Sequence, residues 1–164
     1  MKAKLILNNK EYKVEVSEEQ VKEIEKPKYK RWRAEEKGDY YFLDSSCSVV
    51  YMVDYYSESD RKRYEVGNYF KTKEETEFRG QQLLYLQLYK DYLGEDLVTK
   101  DDWKDCSVWK YYAYYDFYNR IIKICYNFNT KNVSIHSKSK EKIENFINLI
   151  GEDNFKKYIL EVEE

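Results

Sequence analysis

The sequence predicts an α+β fold. A β-β-α element comes first, then two related β-hairpin–strand–helix units, with antiparallel sheets packed on helices. Three observations lead there. VGNYFKTKEE, Val66 to Glu75, passes from an apolar strand-like run into a capping box, Thr72 with Glu75 three residues on. VSIHSKSKEK, Val133 to Lys142, repeats that strand-to-helix grammar. A Tyr-rich segment that reads as a hairpin precedes each copy.

At 164 residues the chain suits one ordinary domain, or two small units sharing a core. Tyr supplies 19 of the aromatic residues. Its ring is apolar, but its hydroxyl must be wet or bonded, so Tyr-rich strands serve either a half-buried sheet or a recognition surface. Basic and acidic residues nearly balance, 29 against 31, which gives no global pull toward nucleic acid or anionic membrane. No apolar run is long enough to span a membrane, and the N-terminus lacks a cleavage-site pattern. Cys47, Cys106 and Cys125 are odd in number and widely spaced, without CxxC. That predicts reduced, cytosolic thiols rather than a zinc site or disulfide framework.

Lys2 to Asn8 and Glu11 to Val16 read as strands around an Asn8-Asn9-Lys10 turn. Tyr12, Val14 and Val16 alternate with charged residues, as on a half-buried strand. Ser17 and Gln20 open a helix, Glu18 to Lys26, which Pro27 stops. KPKYKRWR, Lys26 to Arg33, interleaves five cations with Tyr29 and Trp32.

The first repeat pairs Tyr40 to Leu43 with Val49 to Val53 around Asp44 to Ser48. The polar stretch Ser57 to Arg63 reads as a loop and Tyr64 to Phe70 as a third strand, with Gly67 a bulge or close-approach point. Lys73 to Leu93 is the longest helix. Phe78, Gln82, Tyr85, Tyr89 and Tyr92 form its buried stripe, and Gly94 ends it. Gly80 inside it costs about 1 kcal/mol against Ala and marks a weak spot or a close contact.

The acidic connection Glu95 to Ser107 holds Trp103. In the second repeat Val108 to Phe117 and Arg120 to Phe128 flank a Tyr118-Asn119 turn, and Val133 to His136 is the third strand. Ser137 or Ser139 caps a helix bearing Ile143, Phe146, Ile147 and Ile150. Gly151 ends it, and Glu152 to Leu160 adds a short last helix. The organisation is therefore 1–27, a connector 28–38, and repeats over 39–98 and 99–164, their aromatic strands sharing one core.

The chemistry available is sparse. His136 is the only histidine, so every triad would pass through it, and no nucleophile partner is marked nearby. It reads as a packed or surface side chain. Glu74 and Glu75 suit a helix N-terminus, and Asp101, Asp102 and Asp105 lack the Gly and distal Glu of a calcium loop. No phosphate-loop glycine pattern is present. No catalytic residue, metal or cofactor is expected.

Two segments are candidate contact sites. Lys28, Lys30, Arg31 and Arg33 can meet phosphates while Tyr29 and Trp32 stack on bases, unless residues 26–33 are only a solvated connector. In KYYAYYDFY, Lys110 to Tyr118, one face holds Tyr111, Ala113, Tyr115 and Phe117 and the other Tyr112, Tyr114 and Tyr118. Aromatics on both faces imply burial on both sides or one exposed, partner-binding Tyr patch.

MKAKLILNNKEYKVEVSEEQVKEIEK, WRAEEKGDYYF, VGNYFKTKEE and IGEDNFKKY together resemble a family of uncharacterised small proteins encoded by phages, prophages and other mobile elements of low-GC Gram-positive bacteria. The turn Ser45 to Ser48 lacks the glycine that members often carry there. The family has no established catalytic residues. The resemblance implies a small non-catalytic protein in the cytoplasm of an infected or lysogenic cell. There it would act as an accessory or anti-defence factor, most concretely an inhibitor of a host CRISPR effector. The expectation is therefore a protein that blocks a bacterial defence component by direct contact. A nucleic-acid-binding accessory protein using residues 26–33 is the alternative, and an enzyme acting on a nucleotide defence signal a more distant one. A membrane partner is not expected, and the sequence leaves the oligomeric state open.

Overall fold

The computed structural model describes residues 2–7, 10–15, 17, 31–128, 131–132 and 134–162. Its class is α+β, with small antiparallel two-stranded sheets and helices. The chain divides between Arg33 and Ala34 into two compact units, and both repeats lie in the second.

In the first unit β1 (Lys2–Leu7) pairs with β2 (Lys10–Glu15), Leu5 opposite Tyr12. Tyr12 stands exposed rather than half-buried. Val16 and the helix expected over Glu18 to Lys26 lie outside the described residues.

The second unit opens with β3 (Asp39–Leu43) and β4 (Val49–Val53), Tyr41 facing Tyr51. Their turn is built on Asp44, whose carboxylate accepts the N–H groups of Ser46 and Ser48 and the Ser46 hydroxyl at 2.7–2.9 Å. Cys47 takes the left-handed conformation, φ 60°, that a glycine adopts without strain.

The stretch expected as a loop, Ser57 to Arg63, is helical. α1 (Glu58–Glu65) begins at a capping box in which Asp60 plays the part more often taken by Glu. The strand expected over Tyr64 to Phe70 is absent, because α1 occupies its first residues. α1 ends as Asn68 N–H bonds the Arg63 carbonyl and Gly67 N–H that of Tyr64, the two bonds of a Schellman cap. Gly67 sits at φ 83°, so it is a helix stop and not a bulge. Of that stretch Phe70 alone bridges the hairpin backbone to backbone, through paired bonds with Tyr41, while the Asn68 side chain bonds the N–H and carbonyl of Leu43.

α2 (Lys73–Leu93) starts at the expected box of Thr72 and Glu75 and stops at Gly94. It spans both repeats. Near its start Gly80 lets it approach β3, where an added Cβ would lie 3.2 Å from the Leu43 side chain. Near its end Tyr89 and Leu93 are fully buried. Of the predicted stripe, Gln82 and Tyr89 are buried, Phe78 and Tyr85 pack on Tyr158, and Tyr92 is exposed.

β5 (Lys110–Asp116) pairs with β6 (Ile121–Asn127), Ala113 facing Ile124. The pairing closes at Asp116 and Ile121, so the loop is the four residues 117–120 rather than Tyr118-Asn119 alone. Asp116 organises it, taking the N–H groups of Tyr118 and Asn119 and an ion pair from Lys123. The third strand expected at Val133 to His136 is not formed, and Val133 lies outside the described residues. Ser137 instead makes single bridges, to Tyr111 on one side and Leu97 on the other. Ser139 caps α3 (Lys140–Ile150), which buries Ile143, Phe146 and Ile147. The last helix, Glu152–Asn154, widens into a π turn over Phe155–Ile159.

The repeats do not share one core. Tyr40, Phe42, Tyr69 and Ala34 form one cluster. Tyr89, Leu93, Ala113, Ile143, Phe146, Ile147 and Phe155 form the larger one. Stacking of Tyr89 on Phe146 at 4.7 Å centres the latter. Each fully buried ring contributes about 2–3 kcal/mol of apolar burial, which fixes α2 and α3 against β5.

Candidate functional site: the aromatic surface of the second hairpin

Tyr111 gives its N–H to the Ser137 carbonyl and accepts the Ser137 N–H, both at 2.8 Å. Its backbone groups therefore point away from β6. Opposite residues in an antiparallel ladder alternate between bonded and non-bonded pairs. Tyr111 with Tyr126, Ala113 with Ile124 and Tyr115 with Ile122 are thus the non-bonded pairs. Ile122, Ile124 and Tyr126 turn their N–H and C=O groups outward, to an edge that has no strand partner among the described residues. A groove of about 570 Å³ follows this edge, walled by Ile122 and Ile124 on one side and Glu144, Ile147 and Asn148 of α3 on the other.

The same register brings aromatics together where the core face runs out past Tyr111. Trp109 packs at a tilt on Tyr126 at 4.5 Å and edge-on to Phe128 at 4.9 Å, and Tyr126 meets Phe128 edge-on at 5.3 Å. These three rings remain 45%, 45% and 37% exposed. Three large exposed aromatics held against each other make a preformed apolar surface. Rigid rings of this kind supply contact area at little entropic cost. None of the three was singled out by sequence. The signal was present, since a turn centred on Tyr118-Asn119 already puts Trp109 opposite Phe128.

The predicted Tyr face is only partly realised. Tyr112 and Tyr114 do share a side of β5, their rings 6.2 Å apart. Tyr114 is exposed, but Tyr112 is half-buried with its ring 5.2 Å from His136. Burial, and the hydrogen bond and charge of nearby Cys125, raise the Tyr112 hydroxyl above its ordinary range. Tyr118 lies in the loop, 94% exposed, so the three do not form one patch. In the basic segment Lys28, Tyr29 and Lys30 fall outside the described residues. Trp32 is exposed, and Arg31 and Arg33 are half-buried.

His136 is 4% exposed. Its Nδ1 lies 2.8 Å from the Ser134 carbonyl, and Trp103 meets its ring edge-on at 4.9 Å. Burial holds it below its ordinary value, with Lys131 adding to the effect. Cys47, Cys106 and Cys125 are free and exposed. Among the described residues no three His, Cys, Asp or Glu side chains are grouped to hold a metal.

A second polar site was missed entirely. Asp54 and Asp60 are buried carboxylates. Asp60 accepts the Tyr40 and Ser57 hydroxyls and the N–H groups of Tyr55 and Ser57. Burial alone would raise its carboxyl, but these bonds outweigh it and hold it low. Tyr69 donates to Asp54 at 2.8 Å. Arg63 lies over the Phe42 ring at 3.9 Å and donates to Tyr40. Reading Ser57 to Arg63 as a loop hid this network. Its bonds knit α1 to the hairpin and engage both oxygens of each carboxylate.

The acidic connection is also locally satisfied. Asp102 is held low by the N–H and hydroxyl of Thr99, and Asp105 by Ser107. No helix among the described residues is long and apolar enough to cross a membrane. No family model matches the chain, and no curated protein or solved structure matches it either.

Proposed function

We propose that the chain is a non-catalytic binding protein that blocks a bacterial defence component by direct protein contact. The observation that carries this reading is the exposed cluster of Trp109, Tyr126 and Phe128. Aromatic anchors clustered and braced by neighbours are what interface hot spots use. The outward N–H and C=O groups of Ile122 and Ile124 add a second mode of contact, main-chain pairing with an extended segment of the partner. The phage and prophage setting, the host cytoplasm and a CRISPR effector as target rest on the resemblance carried by VGNYFKTKEE and its companion signatures.

The test is a binding assay with purified chain and a panel of CRISPR effectors and other immune proteins from low-GC Gram-positive hosts. The reading expects a stable complex with one of them, weakened at least tenfold by Trp109→Ala. No complex across the panel contradicts it. Nucleic-acid binding through residues 26–33 is the competing reading, and exposed Trp32 favours it. It expects affinity for single strands that falls steeply with salt and is lost when Lys28, Lys30, Arg31 and Arg33 are replaced by Ala.

A further inference from the structure

The groove of about 570 Å³ beside β6 is lined by consecutive strand residues, Ile122 to Cys125. Side chains alternate between the two faces of a strand, so an unbroken run sets the backbone edge itself against the groove. The backbone groups that reach it belong to every second residue. Ile122 and Ile124 form non-bonded pairs with Tyr115 and Ala113, so their N–H and C=O groups point away from β5. Lys123 and Cys125 give theirs to Tyr114 and Tyr112. The same two isoleucines turn their side chains to the core face, where Ile147 of α3 forms the opposite wall. A strand entering antiparallel to β6 meets both features at the same residues. Those opposite Ile122 and Ile124 exchange both backbone bonds with them and point their side chains toward Ile147.

Charge selects the rest of the occupant. Among the charged residues lining the groove, Lys123 is paired with Asp116 and Lys140 with Glu144, the latter at 3.0 Å. Glu152 has no ion-pair partner among the described residues. It belongs to the Ile122 end of the strand. α3 begins at Ser139, two residues after Ser137 bonds Tyr111, which lies across from Tyr126. Past the far end of α3, Lys156 lies over the Tyr115 ring at 5.9 Å, and Tyr115 is across from Ile122.

We infer that this groove takes an extended segment of another protein as a third strand, antiparallel to β6, with apolar side chains opposite Ile124 and Ile122 and a lysine or arginine after them at Glu152. The residue between the two apolar ones is not basic, because it lies opposite Lys123. Main-chain bonds give such complexes their affinity and alternate side chains their specificity. A second copy of β6 is the poorer occupant. Paired about Ile124, it sets Tyr126 opposite Ile122 and then brings Asn127 and Phe128, not a cation, toward Glu152. The inference deepens the contact reading above and rests on it for the claim that this face meets another protein.

Short random peptides displayed on phage are selected on the full chain, and the tightest is synthesised with a single N-methyl group at each residue in turn. The selected peptides are expected to carry two apolar residues separated by one position and followed by Lys or Arg. N-methylation at either apolar residue should weaken binding at least tenfold. At the residue between them it should cost less than twofold, because that N–H points away from β6. In ¹⁵N hydrogen-exchange spectra the peptide should slow the amides of Ile122 and Ile124, those of Lys123 and Cys125 being bonded to β5 already. Glu152→Gln, at an exposed position, should weaken binding severalfold. The assignment is overturned if no peptide binds saturably, if both kinds of methylation cost the same, or if Glu152→Gln leaves affinity unchanged. It is also overturned if Ile122 and Ile124 exchange slowly in the free chain, and more slowly as its concentration rises, the mark of a second copy. No defence protein enters the assay, so the groove can fail here while the aromatic surface still captures its target, and the reverse.

Discussion

Tyr40 and Tyr69 stack face to face, centroids 4.0 Å apart and planes 8° from parallel, yet their hydroxyls go to different buried carboxylates, Asp60 and Asp54. The stack joins β3 to the segment after α1, and the two acids fix its ends. Burial and the Asp60 bond push the Tyr40 hydroxyl up to about 12, against an opposing effect of Arg63. Asp60→Ala removes the carboxylate half of the capping box and takes the acceptor from the Tyr40 hydroxyl and from the Tyr55 and Ser57 N–H groups. It should cost about 2–4 kcal/mol in urea unfolding.

The same network predicts an acid limb. Asp60 is held below its unfolded value, so the unfolded chain binds more protons and stability falls as pH falls. The stability is complete above the ordinary Asp value of about 4 and is lost as pH drops through the lower folded value. Asp60→Ala should flatten the stability–pH curve below about pH 4, measured by urea midpoints. An unchanged slope would assign the acid limb to other carboxylates.

Tyr89 is the opposite case. Its ring is at the centre of the larger core, but its hydroxyl is buried without a hydrogen-bond partner, and burial raises it above its ordinary range. Tyr89→Phe keeps the stacking on Phe146 and removes the orphan. It should leave stability unchanged or raise it by about 1 kcal/mol, whereas Tyr to Phe at a bonded site costs a similar amount.

Gly67 closes α1 at φ 83°. Gly67→Ala forces a Cβ into the left-handed region and should cost about 1–2 kcal/mol. A strand bulge could shift register to relieve that cost; a Schellman cap has no such freedom.

Much of this fold was legible because its signals are local. The box of Thr72 and Glu75, the stop at Gly94, and Ile143, Phe146 and Ile147 on one face each need only three or four neighbouring residues. What misled was also local. Ser57 to Arg63 is polar throughout, so no apolar stripe marks α1, and its stability comes from Asp60 bonding Tyr40 twenty residues back. Val66 to Phe70 looks apolar enough for a strand, but a helix stop consumes Gly67 and leaves one bridging residue. The candidate surface was half legible. Face alternation in Lys110 to Tyr118 was readable, while Trp109 and Phe128 acquire meaning only once the strands are paired. Tyr112 reads in the sequence as part of an open face, but the Ser134 to Ser137 segment pairs with Tyr111 and places His136 beside its ring.

His136 gives a second pH signature at milder acidity. Its folded value is lowered, chiefly by burial, so below about pH 6.5 the unfolded chain takes up a proton that the folded chain resists. Stability should decline from about pH 6.5 down through the folded value, and His136→Gln should abolish that part of the decline. Thermal midpoints of the two proteins between pH 7.5 and 5 make the comparison.

The account centres on Trp109, Tyr126 and Phe128 as contact residues, and one measurement tests it most directly. A purified defence protein that captures the chain is titrated with wild type and with Trp109→Ala, Tyr126→Ala and Phe128→Ala, each shown folded by its urea midpoint. A contact surface built on these rings predicts a loss of at least tenfold in affinity for Trp109→Ala, and together losses far beyond those of Tyr118→Ala in the distant loop. Equal affinities for wild type and all three variants would contradict it.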